Sequence, residues 1–173
     1  MSLKGWNVAV LLAIGAIWFA GTTQREKPVV GDTHANKVAG LEEAAAAQPA
    51  DAAKLRELAQ GYLDARQPGM AIGVIERAPL AIRSEPTVDH LYARALLEQG
   101  RSADALAAEK RVLEKCADPD APVCSTWLIA SATRRAEIIE QLVQLGVEDA
   151  NAHPEASNLA YHNATRQVGI SVR

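Results

Sequence analysis

The sequence predicts an all-α fold, and three observations lead there. Hydrophobic residues make up 49% of the chain but aromatic residues only 4%, a balance that suits packed helices better than sheets, which favour β-branched and aromatic side chains. Apolar residues recur at spacings of three and four through most of the chain, the period of a helical stripe. Within Ala52–Lys115 one helix-turn-helix pattern occurs twice, with matching positions 34 residues apart. A chain of 173 residues holds one domain of ordinary size, about 100–150 residues, plus an anchor or tail. Its net charge of −3 and pI near 5.8 offer no basic surface to a phosphate backbone, so no nucleic-acid partner is expected.

Residues 1–23 read as an amino-terminal membrane anchor. From Trp6 to Thr23 run 18 residues without a charge, about 27 Å as a helix and enough to reach across a bilayer core. Trp6 and Trp18 then stand toward opposite interfaces, where indole rings are favoured. A cleaved signal peptide is one alternative and a buried soluble helix another. Cleavage requires small residues at the −3 and −1 positions, and for sites at Ala20 and Gly21 the −3 residues are Trp18 and Phe19. Lys4 and the terminal amine compete with Arg25 and Lys27 in setting orientation. The short amino-terminal tail and the cysteine pair favour a single-pass protein whose domain lies outside the cytoplasm, as in a periplasm.

Residues 24–36, with Pro28, Gly31 and Asp32, lack an apolar period and read as a tether. Residues 37–173 form the helical domain. A first helix over Lys37–Gln48 carries Val38, Leu41, Ala44 and Ala45, and Pro49 ends it. Asp51 then caps a helix with Leu55, Leu58, Ala59 and Tyr62, which Gln67-Pro68-Gly69 stops. Ala71, Ile72, Ile75 and Ala78 mark the next helix, and Pro79 breaks it. Pro86 opens a helix with Leu91, Tyr92, Ala93, Leu96 and Leu97, and after Gln99-Gly100-Arg101 the residue Ser102 caps another.

This stretch resembles the tetratricopeptide repeat, a pair of antiparallel helices with a 34-residue period. Leu55, Leu58, Ala59, Tyr62, Ala71, Ile75 and Ala78 match the family pattern in the first unit, and Tyr92, Ala93, Leu96, Gly100 and Ala105 in the second. Four residues depart from it: Asp89 and Glu109 stand where large apolar residues belong, Arg66 stands where Gly100 stands, and Pro79 is unusual. Beyond Cys116 the register fails, so Trp127, Leu128, Ala132, Ile139, Leu142 and their neighbours read as a long capping helix ended by Gly146. A last helix from Asn151–Pro154 to Gly169 covers the stack.

The resemblance implies a concave surface that binds partners through the first helix of each unit. On this chain the corresponding positions are Arg56, Gln60 and Leu63, then His90, Arg94 and Leu97. Arg56 and Arg94 suit acidic side chains or a terminal carboxylate, and the leucines add apolar contact. Leu91 departs from the class of these repeats that clamps carboxylates, which has a polar amide there. The bland alternative is that both arginines are simply solvated.

Nothing in the sequence assembles a catalytic centre or calls for a cofactor or metal. His34, His90, His153 and His162 are scattered, and Asp118 and Asp120 lack the glycine of a calcium loop. Cys116 and Cys124 lie too far apart for a zinc knuckle or a redox Cys-x-x-Cys pair. In an oxidising compartment they are expected to form a structural disulfide, worth ~2–3 kcal/mol by loop closure in a model-dependent account. Asn163-Ala164-Thr165 is a glycosylation sequon by chance inside a helix. The function expected is docking of a protein or peptide at an extracytoplasmic membrane surface. The alternative is an accessory or assembly subunit held in a larger membrane complex by its anchor and carboxy-terminal helices.

Overall fold

The computed structural model describes residues 33–118 and 124–168. Every regular element among them is a helix: α1 Thr33–Ala47, α2 Ala52–Asp64, α3 Pro68–Arg77, α4 Leu80–Arg83, α5 Pro86–Glu98, α6 Ser102–Ala117, α7 Thr126–Gln144 and α8 Pro154–Val168. The fold is therefore all-α across the described residues. None of these helices is long and apolar enough to cross a membrane, and the anchor expected over residues 6–23, with Trp6 and Trp18, lies outside them. So does most of the tether, although α1 starts at Thr33 and takes in its last four residues.

Local chemistry accounts for most of the boundaries. The Asp51 carboxylate accepts from the backbone amides of Ala53 at 2.7 Å and Lys54 at 3.4 Å, which satisfies two donors that the first turn of α2 leaves without helical partners. Ser125 does the same for Leu128 at 3.1 Å and starts α7. Pro68 and Pro86 occupy first-turn positions, where a missing amide hydrogen costs nothing. Pro79 separates α3 from the single turn of α4. Ser102 does not cap α6. Its hydroxyl donates to the Glu148 carbonyl at 2.6 Å and ties the start of α6 to the chain following α7.

Consecutive long helices pack as hairpins, α2 on α3, α5 on α6 and α7 on α8, and the same turn closes each first helix. Arg66, Gly100 and Gly146 have φ of 59°, 75° and 70°. The residue after each donates its amide five positions back: Gln67 to Tyr62 at 2.8 Å, Arg101 to Leu96 at 2.9 Å and Val147 to Leu142 at 3.0 Å. This is the Schellman closure, which requires a left-handed residue. The expectation that α7 is only a cap is thereby corrected: it is the first helix of a third hairpin that α8 completes. The 34-residue register misses it because α7 begins 40 residues after α5 and is 19 residues long where α5 has 13.

Arg66 pays the left-handed penalty that glycine avoids. Arg66→Gly is expected to stabilise the fold by about 1 kcal/mol, the steric relief less glycine's extra unfolded-state entropy. Gly100→Ala should go the other way, because its methyl group would stand 3.0 Å from Asp149, and a loss of about 2 kcal/mol is expected. Urea midpoints check both variants. A lower midpoint for Arg66→Gly would mean that the arginine side chain contributes more than its backbone costs.

One core runs from Val38 on α1 through Leu58, Tyr62, Ile75, Val88 and Leu96 to Ile139 on α7. Ala59, Ala71, Ala93 and Ala105 are all fully buried, placing side chains without bulk where helices approach most closely. Two satellite clusters extend the core. Val112, Leu128 and Ala132 join α6 to the start of α7, and Leu142, Val147 and Ala160 join its end to α8. Cys116 and Cys124 sit at disulfide distance beside the first satellite, with Cα atoms 5.5 Å apart.

Candidate functional site

The first helices of the three hairpins, α2, α5 and α7, border a cleft of about 700 Å³. From α2 it receives Arg56 and Gln60, from α5 His90, Leu91 and Arg94, and from α7 Trp127, Ser131 and Arg135. Four of the six residues expected at a binding surface thus come together. The other two do not. Leu63 is only 3% exposed and belongs to the core, while Leu97 is half-buried between the core and the α7–α8 satellite.

The polar side chains of the cleft differ in how far they are already committed. Arg94 donates from Nε to Glu98 at 2.9 Å and from Nη1 to the Gln60 amide oxygen at 3.3 Å. Gln60 in turn donates to Asp64 at 2.6 Å. Arg56 reaches only its own helix, the Ala52 carbonyl at 3.4 Å, and no carboxylate pairs with it among the described residues. It is the cation that the cleft leaves available.

His90 lies at the floor of the cleft and has little left to offer a ligand. Its Nδ1 is 2.8 Å from Glu109 Oε2 and its Nε2 is 3.1 Å from the Ser131 hydroxyl. A carboxylate accepts from a ring N–H and a hydroxyl can either donate or accept, so both ring nitrogens have partners. Arg135 completes the network, donating from Nη1 to Glu109 Oε1 at 2.8 Å and to the His90 carbonyl at 2.9 Å. Burial pulls the Arg135 guanidinium below its ordinary pKa, and the charge of Glu109 opposes that. Together the four residues rivet α5, α6 and α7 behind the cleft.

The same logic accounts for Asp89, the second polar residue at a position where the pattern has a large apolar one. Asp89 is 5% exposed and is held by Arg111 at 3.0 Å and Lys115 at 2.8 Å. No buried side-chain nitrogen or oxygen among the described residues lacks a partner. Glu109 and Asp89 are thus polar clamps between neighbouring helices where the pattern has apolar contact.

Sequence reasoning missed the apolar wall of the cleft. Trp127 is 70% exposed and meets the His90 ring edge to face, with centroids 6.2 Å apart. With half-buried Leu91 it offers an accessible indole and an aliphatic surface beside Arg56. The signal was Trp127 itself, a tryptophan two residues past a helix cap. Its meaning depended on recognising α7 as a third first helix. No metal-binding group of histidine, cysteine or acidic residues is present among the described residues. Comparison of the chain with protein-family models, curated proteins and solved structures found no match.

Proposed function

We propose that the protein is a membrane-anchored interaction module of tetratricopeptide-like build, which docks a peptide or partner-protein segment in the α2–α5–α7 cleft. The observation that carries this reading is the pairing, in one cleft, of the Arg56 guanidinium, which bonds only the Ala52 carbonyl of its own helix and no carboxylate among the described residues, with the exposed indole of Trp127. Arginine and tryptophan are the side chains most often dominant in interfaces, because each combines apolar area with directional polar contact. A matching segment presents a carboxylate to Arg56 and an apolar side chain to Trp127 and Leu91. The uncharged stretch from Trp6 to Thr23 supplies the anchor, with the domain on the extracytoplasmic side.

The test compares wild-type protein with Arg56→Glu/Arg94→Glu in affinity purification from native membranes. The variant is expected to lose the co-purifying partner while far-UV circular dichroism stays unchanged. Equal recovery by both would remove the cleft from the interaction. One observation favours the accessory-subunit reading: Val143, Leu145, Leu159 and Tyr161 expose apolar surface on the third hairpin and the turn that follows α7. A version lacking residues 1–24 that still recovers the partner supports the cleft, whereas dependence on the anchor supports the accessory role.

A further inference from the structure

We infer that the Cys116–Cys124 bridge is a positioning element of the cleft: it holds the first turns of α7, and with them Trp127, so that reduction releases the apolar wall of the site without unfolding the domain. The functional consequence rests on the cleft being the binding site; the mechanical claim does not.

Helix α7 is anchored unequally along its length. Its carboxy-terminal half places Ala136 and Ile139 in the main core and Leu142 against α8, and Arg135 joins it to buried Glu109. Its amino-terminal turns have a smaller hold: a satellite in which Leu128 and Ala132 meet Val112 of α6 with the two cysteines alongside, and the Ser131 hydroxyl on His90 at 3.1 Å. Cys116 lies in the last turn of α6, and Cys124 directly precedes Ser125, the cap of α7. The bridge therefore fastens the start of α7 to the end of α6 at the point where packing is thinnest. Trp127 follows two residues after the cap and is 70% exposed, with one ring contact, to His90. Its position follows the backbone of that turn.

A dithiol reverses the bridge in a balanced step. Two electrons and two protons convert the disulfide to the thiols of Cys116 and Cys124, while the dithiol closes to its own disulfide. The first turns of α7 then keep the Ser125 cap, Leu128 and the Ser131–His90 hydrogen bond but lose their covalent tie, and they fray as helix ends do. Arg56 and Arg94, on α2 and α5, stay where they are. The cleft keeps its cations and loses its indole.

Amide hydrogen exchange on the full chain in detergent tests this, comparing oxidised protein, protein reduced with dithiothreitol, and Cys116→Ser/Cys124→Ser. The protected amides of the first turn are those of Leu128, bonded to the Ser125 hydroxyl, and Ile129, bonded to the Ser125 carbonyl. Exchange at residues 128–131 is expected to quicken at least tenfold on reduction and in the variant, with α2, α5 and residues 136–144 within about twofold. In a Trp6→Phe/Trp18→Phe background, the near-ultraviolet circular dichroism of Trp127 should weaken in parallel. Unchanged exchange at 128–131 with both thiols titrated free overturns the proposal. So does acceleration throughout the domain, which makes the bridge a general staple, and so does free labelling of both cysteines in native protein without reductant. Neither readout contains a ligand, so a failed partner search leaves the proposal standing, and its failure leaves the cleft reading untouched.

Discussion

Arg135→Ala is expected to destabilise the domain by about 3–5 kcal/mol, the cost of leaving a buried charge without its partner. The Glu109 side chain is 0% exposed, and its two oxygens are divided between Arg135 and His90. Without the guanidinium the buried carboxylate keeps only the His90 ring as a partner. Glu109→Ala should cost less than Arg135→Ala, because it removes the buried charge and leaves Arg135, which is partly exposed, able to reach water. A Glu109→Leu/Arg135→Met double variant is expected to lie near the wild type, since well-packed apolar replacements of buried ion pairs are often neutral or better. Urea unfolding of the four proteins checks the order. A loss below about 1 kcal/mol for Arg135→Ala would mean that the network is solvated and contributes as a surface pair does.

That network also shows where reading the sequence succeeds and where it stops. The helices and their order were legible because the apolar stripes, the cap Asp51 and the prolines 68, 79 and 86 act within a few residues of chain. Asp89 and Glu109 were visible as misfits in an apolar pattern. Their partners were not, because Arg111, Lys115 and Arg135 reach them across helix seams from 22, 26 and 26 residues away, and no local period encodes such a meeting. The third hairpin escaped for a related reason. Lengthening both the connection before α7 and the helix itself broke the 34-residue register, although the left-handed turn at Gly146 was kept.

The site residues divide along the same line. Arg56, Gln60, His90 and Arg94 border one cleft because position on a helix face follows from spacing. Leu63 and Leu97 share that face but stand further along α2 and α5, where neighbouring helices close over them. Burial depends on the neighbour, which spacing does not report. His90 lines the cleft, but its nitrogens are held by Glu109 and Ser131.

Stability should fall steeply between pH 10 and 12, and Tyr62 should be a principal cause. Tyr62 is 3% exposed on α2, and its hydroxyl donates to Glu42 of α1. Burial first, and then the Glu42 carboxylate, push the phenol from 10.0 up to about 12. Below pH 10 the folded and unfolded chains both hold this proton, and its contribution to stability is complete. Above pH 10 the unfolded chain releases the proton first, so each further step in pH favours unfolding until the folded-state value is passed. The loss for this one residue amounts to about 2–3 kcal/mol. Tyr92 repeats the arrangement, donating to Glu76 at 2.7 Å and likewise pushed up to about 12 by burial and that carboxylate. Urea midpoints from pH 8 to 12, alongside phenolate absorbance, measure the effect. Tyr62→Phe isolates it, because lysines also titrate in this range: the variant should lose about 1 kcal/mol at pH 8 for the missing hydrogen bond and show a shallower alkaline slope. An equal slope in the variant would assign the alkaline loss to other groups. Both tyrosines donate to a glutamate on a preceding helix, Tyr62 on α2 to α1 and Tyr92 on α5 to α3. Ionisation would set phenolate against carboxylate at both junctions, so alkaline opening should begin between α1 and α2 and between α3 and α5, ahead of the hairpins themselves.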